Sequence, residues 1–312
     1  MAQQIVVGVD GGGSKTHVIV ATARGKELAS VTGDASAVTP GEALSSAEVI
    51  GALVRDALAQ AEITDRPAAV VAGVAGTGRE KEQKALLRAL RNESLADEVK
   101  VVPDAEIALM DAFGKDGAGI LLVAGTGSVA FGRGPAGAFR RCGGWGPVAG
   151  DEGSAAWIGR RALSVVTSSA DEREPESRLT GALMTALELE TIDDIVPWAA
   201  KATPKDLAAL AVHVTTLAAD RDLRANSICT IAAEELVLHV RTLARQLFVD
   251  ERAAVPVALA GGMLQRGSFL RRLVEHRLKT AVPGCVLRTE DVIPARGAVK
   301  MAAATLKVAT NA

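Results

Sequence analysis

The sequence predicts an α/β protein of two domains, and three observations carry that expectation. Strand-like apolar runs alternate with helical patterns along the chain, which favours parallel or mixed sheets. A unit of strand, turn of glycines and hydroxyl residues, and second strand occurs twice, at 5–20 and 119–132. A chain of 312 residues, 48% of them hydrophobic, can bury more than one core.

The first element is the stretch IVVGVDGGGSKTHVIVAT (5–22). Ile5, Val6, Val7 and Val9 are β-branched and nearly continuous, as in a strand covered on both faces. Gly11, Gly12 and Gly13 form the turn, and Val18, Ile19 and Val20 form the returning strand. A polar connection at 32–41 leads to a helix expected over 42–62. Then come a strand at 68–76, a charged helix at 79–91, a short strand at 99–103 and a helix at 105–113. The second hairpin, GILLVAGTGSVAFG (119–132), opens a mostly helical region with patterns at 153–168, 177–189, 204–219 and 223–249. In the last of these, Ile228, Ile231, Leu236, Leu243 and Leu247 share a broad apolar face. The charged segment 168–177 reads as an exposed loop. A third apolar strand, VPVALAGGM (255–263), ends in Gly261 and Gly262 and feeds a helix marked by Phe269, Leu270, Leu273 and Leu278.

The turns suggest phosphate chemistry. Bare backbone N–H groups at Gly11, Gly12 and Gly13, followed by Ser14, Lys15 and Thr16, can cradle phosphate oxygens. Asp10 ends the strand where a magnesium ion bridging those phosphates could be held. A glycine-rich hairpin without a ligand is the competing reading, since the spacing is neither a Walker loop nor a dinucleotide fingerprint. In the second turn, Gly125, Thr126, Gly127 and Ser128 offer similar contacts, although hydroxyl residues also suit ordinary turns. Two such halves facing each other would enclose a nucleotide.

Four residues admit two readings each. Asp104 follows Pro103 at the end of a short strand and precedes a helix, which suits either an N-cap or a general base. Trp145 lies between Gly144 and Gly146, so its ring either fills a core gap or offers a flat platform to a sugar. Asp151 either accepts hydrogen bonds from sugar hydroxyls or caps a helix beginning near Ser154, with Glu152 a solvated neighbour. Lys15 suits a phosphate contact or a solvated position equally.

Composition narrows the class. A net charge of −2 supplies no basic field for nucleic acid or an anionic membrane. No apolar run approaches the ~20 residues of a membrane span. The first strand begins by Ile5, which leaves no room for a signal peptide. Cys142, Cys229 and Cys285 are odd in number and lack a CxxC pair, which suits free thiols in a reducing cytoplasm. His17, His213, His239 and His276 are scattered, against a structural zinc site.

Five blocks, VDGGGSKT (9–16), VPDAEIAL (102–109), AGTGSVAFG (124–132), GGWGPVAGDEGSAAWIG (143–159) and LAGGM (259–263), run in the order seen in a known superfamily. The chain resembles the actin, hexokinase and Hsp70 ATPases, and within them the N-acetylglucosamine kinase and BadF/BadG/BcrA/BcrD-type ATPase branch. The GGWG to GDEGSAAWIG block is the most specific part of the match. The resemblance implies two actin-like ATPase (ribonuclease H-like) domains flanking a nucleotide and sugar cleft. They would be residues 1–113 and 114–294, with a C-terminal helix (295–312) packing back onto the first. It implies ATP and Mg2+ as cofactors, with Asp104 as the general base that also touches the sugar and Asp10 at the metal. Gly11, Gly12, Gly13, Ser14, Lys15, Gly125, Thr126, Gly127, Ser128, Gly261 and Gly262 fall at nucleotide-contacting positions. Gly144, Trp145 and Asp151 fall at sugar-contacting ones. The implied reaction moves the γ-phosphate of ATP to a hexosamine hydroxyl, at position 6 by resemblance. The partner is then a small amino sugar, and a homodimer is among the arrangements the sequence admits.

Departures from the family pattern bear on the substrate. The loop GDASAVTPG (33–41) has no Asn, where kinases of N-acetylglucosamine use one to fix the sugar, and AADRDLRAN (218–226) replaces a Gly-Asp pair. A free amino sugar, glucosamine first, is therefore expected ahead of the acetylated one. One alternative is an activator ATPase holding an iron–sulfur cluster between subunits, but no cysteine here lies in a recognisable cluster motif. A sugar sensor is the other. It would add a DNA-binding helical domain, for which the early first strand leaves no room.

Overall fold

The computed structural model describes residues 4–250 and 253–309, so the ends of the expected first domain and last helix lie outside the described residues. The described residues fall into two compact units: those of Met1–Gly117 with Val292–Ala312, and those of Ala118–Asp291.

In the first unit, β1 (Ile5–Gly11), β2 (Thr16–Thr22), β3 (Glu27–Gly33), β4 (Ala69–Val74) and β5 (Glu98–Pro103) form one sheet in the order β3-β2-β1-β4-β5. β1 runs antiparallel to β2 and parallel to β4, and β4 runs parallel to β5. Alternating side chains bury two different faces. Val7, Val9, Val18 and Val20 pack with Ile50 and Val54 of helix Ala43–Gln60 and Leu86 and Leu90 of helix Glu80–Asn92. Val6, Ile19 and Val71 pack with Ile107 of helix Asp104–Phe113 and Ala295, Ala298 and Val299 of the C-terminal helix Pro294–Ala309. Glycine permits close approach on this face. A β-carbon at Gly73 would fall 2.3 Å from Ile107 Cδ1, so the helix beginning at Asp104 sits directly on β4.

In the second unit, β6 (Gly119–Ala124), β7 (Ser128–Arg133), β8 (Phe139–Gly143), β9 (Val255–Ala260) and β10 (Cys285–Leu287) form a sheet in the order β10-β9-β6-β7-β8. β6 is antiparallel to β7 and parallel to β9, so it occupies the place that β1 holds in the first sheet. The duplication visible in the two hairpins thus extends to both sheets, and the expected α/β class is observed. Helices Ala155–Ala170, Leu223–Leu247 and Phe269–Ala281 supply much of the second core.

Four local readings are corrected. β3 and β8 were not expected as strands; both are edge strands with largely exposed or half-exposed side chains and no apolar run. The 204–219 pattern is two consecutive helices, Pro204–Ala209 and Ala211–Ala219. Helix Ala155–Ala170 enters the segment expected to be loop. The short helix Ile195–Ala199 was not anticipated. Among the described residues no helix is long and apolar enough to cross a membrane.

Candidate active site

In the first unit, β1, β4 and β5 are parallel, so their C-terminal ends share one edge of the sheet. In open α/β sheets that edge is where ligands bind. The β1–β2 hairpin, Asp10 and Asp104 all lie along it. Of the three glycines, Gly11 is the last residue of β1, paired with Thr16, and Gly12 N–H donates to the Lys15 carbonyl at 2.9 Å. The expectation of three bare N–H groups is corrected accordingly, because Gly12 closes the turn. Gly13 and Ser14 are its exposed centre, with open space around Gly13, and Lys15 is exposed beside them. The Gly12 carbonyl accepts from Ser36 and Ala37 N–H at 3.2 Å, which ties the loop after β3 to the hairpin. Thr16 Oγ1 lies 2.6 Å from the Asp34 carbonyl and 2.7 Å from Ser36 Oγ.

Asp104 is the first residue of its helix, and Pro103 holds the N-cap position without a side-chain cap bond. The capping reading fails on this geometry. Asp104 Oδ1 accepts from the adjacent Ala105 N–H at 3.0 Å. Burial raises its pKa, partly offset by hydrogen bonds from the backbone N–H groups of Ala105 and of Asp104 itself. The Asp10 carboxylate, unlike its sheet-paired backbone, has no hydrogen-bond partner among the described residues. Burial, with the Asp104 charge added to it, pushes its pKa up to about 6, while Lys15 pulls it down. Two carboxylates held so, short of donors, form a site that favours a cation or a proton.

In the second unit, Gly125 N–H donates to the Gly127 carbonyl at 2.9 Å. The Gly125 and Thr126 carbonyls accept from Ala155 and Ala156 N–H, docking helix Ala155–Ala170 onto the turn. Thr126 is exposed. Ser128 is not: it is buried, and its hydroxyl donates to the Glu152 carbonyl at 2.7 Å. Its hydroxyl therefore holds the turn together rather than facing a phosphate. A β-carbon at Gly127 would fall 2.7 Å from Asp151 Oδ2, so only glycine lets that carboxylate approach the turn. Asp151 takes φ +58° and is not the N-cap of the helix that follows. The N-cap of the following helix is Ser154, which accepts from Trp157 N–H.

Gly144 has φ +71° and Gly146 φ +85°, which swing the loop outward around Trp145. The Trp145 ring is 69% exposed, against the core-filling reading, and the Arg141 guanidinium lies 4.6 Å from its centroid. Gly261, at φ +92°, follows β9; a β-carbon there would fall 2.3 Å from the Ala124 carbonyl. Gly262 lines a cavity of about 650 Å³ with Met263, Ser268, Thr216 and Asp220.

Sequence reasoning missed two supporting residues. His239 is buried and donates from Nδ1 to the Glu235 carbonyl at 2.7 Å, with Nε2 3.8 Å from Glu152 Oε2. Its position three after Leu236 and four before Leu243 on an apolar face was the available signal. Glu152 is thus half-buried against a histidine, not a solvated neighbour. The other is Ser36, which no local pattern marks.

Burial pushes the Cys229 thiol up to about 12 and also raises Cys142 and Cys285. None is poised as a thiolate ligand. Among the described residues no group of three or more His, Cys, Asp or Glu could hold a metal ion.

Comparison with known proteins accords with this layout. Residues 7–302 match the model of the BadF/BadG/BcrA/BcrD ATPase family. The chain is 31% identical over 268 residues to the N-acetylmuramic acid/N-acetylglucosamine kinase of Clostridium acetobutylicum, spanning 85% of this chain and 87% of that protein. It is 28% identical to the N-acetyl-D-glucosamine kinase of Dictyostelium discoideum, spanning 97% of this chain and 98% of that protein. A solved structure from Chromobacterium violaceum, provisionally named an N-acetylglucosamine kinase, superposes with a TM-score of 0.77 at 28% identity, covering 96% of this chain and 99% of that one. With a family match across nearly the whole chain and the family's motifs at the strand edges described above, the protein belongs to the BadF/BadG/BcrA/BcrD ATPase family.

Proposed function

We propose that the protein is an ATP-dependent kinase that transfers the γ-phosphoryl group to a hydroxyl of a hexosamine, at position 6. The observation that carries this reading is Asp104. It is a half-buried carboxylate at the C-terminal edge of a parallel sheet, freed from capping by Pro103 and raised in pKa by its surroundings. A base so placed accepts the proton of the attacking sugar hydroxyl. In the first unit Gly13 and Ser14 offer backbone donors and a hydroxyl to phosphate oxygens; in the second, the exposed Thr126 offers the same, and the Gly262 cavity suits the remainder of a nucleotide.

Asp10 fits Mg2+: it is a hard oxygen donor, half-buried, with no hydrogen bond to its carboxylate among the described residues. Mg2+ is commonly held by one or two carboxylates plus phosphates rather than by a protein cage. When bound, it offsets the charge of the transferring phosphoryl group. Trp145 supplies a flat apolar face, and Asp151 supplies acceptors for ring hydroxyls. The names of the relatives support a hexosamine as acceptor.

A coupled assay of ADP release over glucosamine, N-acetylglucosamine, N-acetylmannosamine and glucose tests the proposal. Release that depends on an amino sugar is expected. No sugar-dependent release from folded protein with ATP and Mg2+ would overturn it.

A further inference from the structure

We infer that the C-terminal helix is a brace that positions Asp104, and that it grips the helix carrying Asp104 through Asp111. The inference rests on the reading of Asp104 as the base.

Asp111 lies two turns beyond Asp104 on helix Asp104–Phe113, and its side chain has no solvent exposure. Oδ1 accepts from Arg296 Nε and from Lys300 Nζ, both at 2.7 Å. Oδ2 accepts from Arg296 Nη2 at 2.7 Å and from Ile293 N–H at 2.8 Å. All four donors belong to the C-terminal helix or the residue leading into it. Burial alone would raise the Asp111 pKa, yet hydrogen bonds from Arg296, Lys300 and Ile293 hold it below its ordinary value. A forked guanidinium bond fixes orientation as well as distance, and the ammonium and the backbone donor remove what freedom remains.

Backbone contacts extend the grip in two directions. A β-carbon at Gly297 would fall 1.9 Å from the Ile107 carbonyl oxygen, three residues after Asp104. One at Gly8 would fall 2.3 Å from the Ala295 carbonyl and 2.5 Å from Val299 N, two residues before Asp10. The same helix therefore lies directly against the strand that ends in Asp10 and the helix that begins with Asp104. Neither element can slide without moving the other carboxylate's support. A displacement of about 1 Å at a reacting group can cost on the order of 10²-fold in rate, so a fixed brace has a kinetic role that fold stability alone does not require.

The test compares Asp111→Asn and Lys300→Ala with wild type, assayed well below their melting temperatures, with Asp104→Asn as control. Asp111→Asn should lower kcat tenfold or more while KM for ATP and for sugar stays within about twofold. Lys300→Ala, at a half-exposed position with the Arg296 fork intact, should show the same split at smaller size. Folded variants with lowered Tm but wild-type kcat would overturn the brace. If Asp111→Asn does not fold, Lys300→Ala decides alone. Full kcat in Asp104→Asn would instead remove the base reading itself, whatever Asp111 does. An inactive Asp104→Asn beside a fully active Asp111→Asn removes only the brace.

Discussion

The charge of Asp104 is felt by Asp10: burial and that neighbouring carboxylate together push the Asp10 pKa to about 6. A carboxyl group with a folded pKa above its unfolded one binds its proton more tightly in the native state. Its favourable contribution is complete below about 3.8 and lost as pH rises through about 6. Above that, ionised Asp10 costs on the order of 3 kcal/mol, about two pKa units at 1.36 kcal/mol each. Asp10→Asn should therefore raise Tm at pH 8, with the gain shrinking toward zero near pH 4. Added Mg2+ should raise the Tm of wild type but not of the variant. Thermal melts across pH check both, and an unchanged Tm at pH 8 would contradict the cost assigned to Asp10.

Replacing Asp104 by Asn keeps the shape and removes the base. We expect kcat to fall roughly 10²–10⁴-fold, the usual range for a general base. KM for ATP should change little, because on the proposed reading the hairpins, and not Asp104, hold the phosphates. A variant with intact kcat and reduced Tm would return Asp104 to a structural role.

Trp145 is largely exposed, so its truncation leaves no cavity. Trp145→Ala should alter stability by no more than about 0.5 kcal/mol, as for other surface changes. Its effect should appear as a raised KM for sugar, with KM for ATP unchanged. Equal rises in both constants would place the ring elsewhere in the reaction.

The loop at 33–41 lacks an Asn, and its Ser36 is already bonded to Thr16 and the first hairpin. A site without partners for a substituent discriminates weakly for it, whereas a site built to bond it discriminates strongly. We expect kcat/KM for glucosamine to exceed that for N-acetylglucosamine, although the relatives are named for acetylated sugars. A tenfold preference for the acetylated sugar would show that another residue reads the acetyl group.

What the sequence disclosed followed from burial. Val6, Val7 and Val9 announce β1 because both faces of that strand are covered. β3 and β8 escaped notice because an edge strand needs no apolar run, and Arg140 and Arg141 in β8 resemble loop. Residue types and spacing singled out Asp10, Asp104, Trp145 and Asp151 as candidates, but not how their atoms are used. Whether Asp104 caps depended on Pro103 taking the cap position one residue earlier, a matter of backbone register. Ser128 and Thr126 look alike in a Gly-hydroxyl turn, and only the fold shows one hydroxyl consumed by Glu152 and the other exposed. The Asp111 cluster joins residues 182 or more positions apart, beyond any local pattern.

The first unit is assembled from both ends of the chain, and this sets an order of events during synthesis. Ala118–Asp291 is contiguous and can acquire its core while translation continues. Val6, Ile19, Val71 and Ile107 are made early, yet their partners Ala295, Ala298 and Val299 emerge last. Until the ribosome releases the final helix, that face of the first sheet is covered only by helix Asp104–Phe113, and Asp111 waits for its cations. A nascent chain halted at Asp291 should accordingly bind a dye for exposed apolar surface. It should lack phosphotransfer however well its second unit has folded, so active enzyme appears only from completed chains.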